Sequence, residues 1–252
     1  MVSLRERIRG PSFGAWVSGD ALSCEVMGRV GYDWLVLETQ HRDITPGGML
    51  SALQATELGQ TPLLVRVGGV EPVEIGRALD IGAAGVVVPV VNTAEEARAV
   101  TDAVLYPPHG KRSFGRVRTY APNGSLEDPL CVLMIETVEA LENLDAIAAV
   151  PGVDVLLVGP ADLCLSMGLP PSPDMTPTML DAMKRLVSSC ERHGVIPGCA
   201  TFGIENARIL AEIGVRFITV GADGAFLRRG AEAEVRAIVE LKQKLGAGAH
   251  AT

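Results

Sequence analysis

Eight short aliphatic runs recur along the chain, each pair separated by room for a helix, and this alternation limits the possible folds more than any other feature. The runs cover residues 13–17, 34–37, 63–67, 86–90, 131–135, 153–158, 195–199 and 217–220. Several are continuous rather than alternating, as in strands covered on both faces. Helical patterns fill the intervals at 21–30, 46–58, 72–81, 93–105, 138–148, 176–193, 203–213 and 225–245. Asn92 is placed to cap the fourth of these, with Glu95 and Glu96 in a first turn where the helix dipole favours acids. Gly82, Gly194 and Gly214 follow helix ends as C-cap signals. Eight such units without a compositional break predict an α/β protein, a single (β/α)8 TIM barrel over residues 1–252, with 245–252 as a loose tail. An open doubly wound sheet is the alternative, but no G-x-G-x-x-G follows the first strand. The stretch 106–129 is long enough for a functional or interfacial loop.

Composition narrows the partners. The chain is 48% apolar and 21% charged, which opposes disorder, and with 4% aromatics its core must be aliphatic. A net charge of −8 argues against nucleic acid and anionic membranes, though a pocket's local field can still favour an anionic metabolite. No run approaches the roughly 20 apolar residues of a membrane span, and the charged segment 1–7 lacks a signal peptide's apolar stretch. Five scattered cysteines without a C-x-x-C read as reduced thiols, so the expected location is the cytoplasm.

In such a barrel the active site lies at the carboxyl ends of the strands. Polar residues there are Glu38 and His41 after strand two, Arg66 at strand three, Glu136 at strand five, Asp162 after strand six and Asp223 after strand eight. Arg66 and Glu136 are lone charges on apolar strands and need a partner or a metal. Glu136 and Asp162 come from neighbouring strands, so they could share a divalent cation such as Mg²⁺, Mn²⁺ or Co²⁺. A Glu–Arg ion pair closing the barrel top is the alternative. His41 could be a general base oriented by Glu38, or an exposed loop residue. All four lysines (Lys111, Lys184, Lys242 and Lys244) lie away from the strands, which disfavours Schiff-base chemistry. Nucleophilic serine or cysteine catalysis has no supporting motif. The Gly221–Gly224 turn has the position of a phosphate site, but Asp223 would repel phosphate.

At these same positions the chain resembles the HpcH/HpaI aldolase family of metal-dependent, pyruvate-specific class II aldolases. The likeness runs from Gly14 to about Leu241 and rests on Tyr32-Asp33-Trp34-Leu35 with His41, Leu64-Val65-Arg66, Tyr106-Pro107-Pro108 with Gly110-Lys111-Arg112, Ile135-Glu136-Thr137, and Val158-Gly159-Pro160-Ala161-Asp162-Leu163. The resemblance implies that Glu136 and Asp162 hold the cation, which chelates pyruvate, and that Arg66 stabilises the enolate. It further implies that His41, paired with the acid at 38, moves protons, and that N–H groups near Ala161 and Asp162, after Gly159 and Pro160, hold the pyruvate carboxylate. Asp80 would reach a neighbouring subunit's site, in an assembly expected to be a trimer of dimers with an exchanged last helix. The chain departs from the better-known members at three places: Glu38 replaces an aspartate, Met134 replaces a glutamine near the metal water, and Ala200 replaces a bulkier residue in the acceptor pocket. The first leaves the dyad geometry open, the second predicts a missing or replaced polar contact, and the third a roomier aldehyde side. Lys111, Arg112 and Arg116 are candidates for holding an acidic acceptor.

The function expected from these features is reversible cleavage of a 4-hydroxy-2-oxo acid to pyruvate and an aldehyde through a metal-stabilised enolate. The alternatives are a CoA-thioester lyase of the citryl- or malyl-CoA type, for which the chain offers little basic surface, an oxaloacetate decarboxylase using the same enolate, and a non-catalytic barrel.

Overall fold

The computed structural model describes residues 3–115, 128–172 and 174–248. Among them, eight parallel strands close on themselves in chain order: β1 (Ser12–Val17), β2 (Trp34–Glu38), β3 (Leu63–Arg66), β4 (Gly85–Val88), β5 (Leu130–Ile135), β6 (Val155–Val158), β7 (Ile196–Ala200) and β8 (Phe217–Ala222). Parallel pairing runs from β1 to β8 and back to β1, so the expected (β/α)8 barrel is the fold. The outer ring comprises α2 (Ala21–Arg29), α3 (Pro46–Glu57), α4 (Pro72–Asp80), α5 (Ala94–Val104), α6 (Val138–Glu142), α7 (Leu144–Ala148), α8 (Pro160–Ser166), α9 (Pro177–His193), α10 (Ile204–Glu212) and α11 (Asp223–Gly248), after a short α1 (Leu4–Arg7).

Side chains on a strand alternate between its faces, and in a closed barrel those faces are two separate cores. Leu35, Leu37, Val65, Val86, Val88, Cys131, Leu133, Ile135, Leu156 and Val158 point outward into the layer shared with the helices. Trp34, Val36, Leu64, Val87, Val132, Met134, Val155, Leu157 and Phe217 fill the barrel interior. Burying one such aliphatic side chain contributes about 1.5–3 kcal/mol, so Val and Leu can hold both layers together without many aromatics. Two aromatics, Trp34 and Phe217, are buried in the interior near the amino-terminal ends of their strands. The Trp34 and Phe217 rings stack there with centroids 3.6 Å apart and planes within 5°. Ile8, following α1, is buried beneath them in the same interior cluster.

The sequence misjudged several local features. Residues 138–148 form two short helices, because the backbone turns at Asn143 (φ −95°, ψ 8°). The fourth strand ends at Val88 rather than at 90, since Val90 has φ +52° and cannot continue it. The N-cap of α5 is Thr93, in a capping box with Glu96, and not Asn92. Helix α8 was not anticipated; it starts directly after β6 with Pro160 at its first position, where a proline costs no hydrogen bond. The tail expected from 245 is helical to Gly248, and 249–252 lie outside the described residues. The C-cap expected at Gly194 holds, with φ +70°. No helix of the described residues is long and apolar enough to cross a membrane.

Gly14 faces the Trp34–Phe217 stack, and a Cβ there would lie 2.2 Å from the Trp34 ring. Gly14→Ala should therefore lower stability by about 1–3 kcal/mol through overpacking, read as a reduced urea midpoint. Gly10→Ala, with open space around it, serves as the control. Equal midpoints for the two variants would contradict this packing account.

Candidate active site

The interior series of each strand, carried two residues further, reaches the carboxyl-terminal rim. After Val36 comes Glu38, after Leu64 comes Arg66, after Met134 comes Glu136 and after Leu157 comes Gly159. The rim encloses a cavity of about 470 Å³ lined by Glu38, His41, Arg66, Met134, Glu136, Gly159, Pro160, Ala161, Asp162 and Ala200. Of the described residues singled out in the sequence for the site, Asp80, Lys111, Arg112 and Asp223 do not line this cavity.

Arg66 and Glu38 are register partners on adjacent strands, and their side chains form a nearly buried ion pair. The guanidinium lies over the Trp16 ring, 4.7 Å from its centroid, and Nη1 contacts the Met134 sulfur at 3.9 Å. Met134 thus offers the arginine a soft thioether contact. The Arg66 Nε is buried and has no partner among the described residues, leaving one fixed donor unspent. A Glu–Arg ion pair does form at the barrel top, and its acid is Glu38 rather than Glu136.

Glu38 does not orient the His41 imidazole. One of its oxygens pairs with Arg66, and the other accepts the backbone N–H groups of Gln40 at 2.7 Å and His41 at 3.0 Å. The glutamate therefore fixes the turn that carries His41, while the exposed ring projects from it toward the cavity.

Glu136 is 3% exposed, and its Oε2 accepts the Val90 N–H at 2.9 Å. Burial pushes its carboxyl up to about 7, against the Val90 hydrogen bond, with the neighbouring Asp162 carboxylate adding to the rise and Arg66 opposing it. Gly159 is required here by space: a Cβ would come within 2.4 Å of Glu136 Oε1. Asp162 lies in the first turn of α8 and is exposed to the cavity. Two converging carboxylates, one buried against its ionisation, are a donor set that a divalent cation would satisfy. Among the described residues no group of three or more His, Cys, Asp or Glu is assembled, so further ligands would have to be water or substrate oxygens.

The expected cations of the long loop sit elsewhere. Arg112 pairs with Asp80 at 2.7 Å and Lys111 with Asp102 at 2.6 Å, on the outer face of the barrel beside α4 and α5. Arg116 lies outside the described residues. The sequence reading missed Trp16, Arg42, Thr201 and Phe202, all of which line the cavity. Trp16 could have been found from strand period alone, being two residues beyond Gly14 on the inner face.

A family model described as HpcH/HpaI aldolase/citrate lyase matches residues 12–230. The chain belongs to this family. It is 36% identical over 235 residues to a 4-hydroxy-2-oxo-heptane-1,7-dioate aldolase of Klebsiella pneumoniae, covering 88% of each chain. It is 38% identical over 224 residues to a pyruvate aldolase of Rhizobium etli, covering 84% of this chain and 86% of that one. The crystal structure of a HpcH/HpaI aldolase/citrate lyase family protein from Burkholderia cenocepacia superposes with a TM-score of 0.85 at 30% identity, covering 93% of this chain and 98% of that one.

Among the features of this HpcH/HpaI family member, the Glu136 carboxyl has a thermodynamic signature. Its folded-state value near 7 lies above the ordinary 4.5, so the folded protein holds the proton more tightly than the unfolded chain. The metal-free protein should then lose stability as pH rises from about 4.5 to 7, by on the order of 1–3 kcal/mol, and level off above. Asp154, also raised by burial, contributes in the same direction. Urea unfolding across this range in EDTA should show a shallower slope for Glu136→Gln; an identical slope would remove Glu136 as its source.

Proposed function

We propose that the chain is a class II aldolase that reversibly cleaves a 4-hydroxy-2-oxo acid into pyruvate and an aldehyde, with a divalent cation held by Glu136 and Asp162. The observation that carries this reading is the buried Glu136 carboxyl beside Asp162, in the same cavity as an arginine with an unspent Nε. The names of the aldolase relatives support the same class. No lysine lines the cavity, which supports a route without a Schiff base.

The bound cation supplies Lewis acidity to the carboxylate and keto oxygens of the pyruvate moiety. Arg66, held by Glu38 and Trp16, presents its guanidinium to the keto oxygen as negative charge grows there. Because the ion pair and the ring fix the guanidinium beforehand, little reorganisation is needed at the moment of reaction. The N–H groups of Ala161 and Asp162 receive the pyruvate carboxylate. His41, on its tethered turn, takes the C4 hydroxyl proton in the cleavage direction, directly or through a water. Ala200 leaves the acceptor side roomy for the aldehyde. Mg²⁺, Mn²⁺ and Co²⁺ all suit a site of two carboxylates completed by oxygen ligands.

The working form we propose is a cytoplasmic homo-oligomer, a trimer of dimers with exchanged C-terminal helices. In support, α11 exposes Leu227, Val235, Ile238, Leu241 and Leu245, while α2 and its C-cap expose Leu22, Val26 and Val30 along one stripe. Neither face is covered by other described residues of the chain. Asp80 would then serve a neighbouring subunit's site.

The test is exchange of the pyruvate methyl protons, followed by NMR in D₂O with Mg²⁺, Mn²⁺ or Co²⁺ and again with EDTA. Metal-dependent exchange is expected, and its absence with every metal would overturn pyruvate enolisation. Glu136→Ala and Asp162→Ala should each abolish it; retained exchange would remove that residue from the cation site. Arg66→Ala should lower kcat of cleavage by about 100-fold or more. A change confined to KM would instead make Arg66 a uniform binder.

A further inference from the structure

The turn between β4 and α5 contains a conformational outlier that the reaction scheme above does not use. Val90 has φ +52°, the left-handed region that a β-branched residue strongly disfavours. Val90 is 44% exposed, so packing around it does not hold the conformation. Strain of this kind persists only where the surroundings enforce it, and it clusters at functional sites.

The enforcement comes from the residues that follow. Val91 N–H donates to the Met134 carbonyl at 3.2 Å. Asn92 is tied at four points: its N–H donates to Glu96 Oε2 at 2.7 Å, its Nδ2 donates to the Val90 carbonyl at 3.4 Å, its carbonyl accepts from Asn143 Nδ2 at 2.8 Å, and its Oδ1 accepts the Thr137 hydroxyl at 2.5 Å. Thr137 immediately follows Glu136. The turn and the end of β5 are thus linked three times, through Val91 N–H to the Met134 carbonyl, through Val90 N–H to Glu136 Oε2 and through Thr137 to Asn92. With Oε2 held in this way, Oε1 lies against Gly159, on the side from which Asp162 arises.

We propose that residues 90–92 position Glu136 for cation binding, with Val90 supplying the N–H and Asn92 acting as the positioning residue that enforces its strained geometry. The inference rests on the reading of Glu136 as a cation ligand. It assigns Asn92 and Thr137 a role through Glu136 and not through contact with substrate. Outer partners that orient a metal ligand typically govern about 10–100-fold of metal affinity.

The experiment is titration of the metal-free protein with Mn²⁺ alone, followed by the EPR signal of free Mn²⁺, alongside thermal melting in EDTA. Asn92→Ala should weaken Mn²⁺ binding by about tenfold or more. Val90→Gly keeps the N–H and adopts positive φ without strain, so it should melt no lower than the parent in EDTA. Thr137→Val should weaken binding and Thr137→Ser restore it; this pair decides the matter if Asn92→Ala does not fold. Parent-like affinity in folded Asn92→Ala or in Thr137→Val, with binding lost in Glu136→Gln, would overturn this inference alone. Parent-like affinity in Glu136→Gln as well would overturn the cation-ligand reading and this inference with it.

Discussion

A closed parallel barrel gives each strand residue two destinations, the interior or the helix layer, and the rest of this molecule depends on that alternation. The interior must be filled, because a void forfeits dispersion contacts and a buried polar atom needs a partner. Val36, Leu64, Val87, Val132, Met134 and Leu157 meet the requirement with aliphatic bulk. Only past the last filled layer does an inward side chain meet water or ligand, and there the same strands carry Glu38, Arg66, Glu136 and Gly159. The site is the continuation of the core pattern into a place where the packing requirement lapses. Its rigidity is inherited: each charged group stands on a strand whose preceding inward residue is locked in the core, the kind of support a preorganised site needs.

The charges at the rim divide into a settled pair and an unsettled one. Arg66 and Glu38 neutralise each other with little exposure, and removing either would strand a buried charge. Glu136 and Asp162 have like sign, and Glu136 is buried enough that the protonated form is favoured to near neutral pH. A structural role would be served better by an apolar residue at 136, since the six residues preceding it on β5 are apolar and buried. The unsettled pair is the part of the rim that a stability argument cannot account for, and it is where a cation would convert a cost into a favourable interaction.

The fold was legible because hydrophobic runs and helix ends repeat along the chain, and closure requires only their number and order. Glu136 and Arg66 were legible as lone charges at the ends of apolar strands. What escaped depends on neighbours that are distant in sequence. The choice of Glu38 over Glu136 as partner for Arg66 follows from strand register, Glu38 facing Arg66 across β2 and β3. Val90 escaped because valine is a strand former, and its left-handed turn is imposed by hydrogen bonds around Asn92 that link it to Thr137 and Asn143, about 50 residues away in the chain. Lys111 and Arg112 read as acceptor-binding cations only while their loop had no location; acids at 80 and 102 draw them to the barrel's outer face.

Glutamate at position 38 shows how side-chain length, beyond charge, sets the site's geometry. Its carboxylate serves two ends at once, with one oxygen on the Arg66 guanidinium across the strand pair and the other on the N–H groups of Gln40 and His41 in its own following turn. An aspartate has one methylene fewer. From the same strand position it could cap the turn in the manner of an Asx motif or reach across to the arginine, and spanning both would require the backbone to move. The longer acid thus couples the residue proposed to stabilise negative charge to the turn bearing the residue proposed to move the proton. With one carboxylate oxygen on Arg66 and the other on backbone N–H groups, Glu38 leaves the imidazole of His41 to be aligned by whatever occupies the cavity.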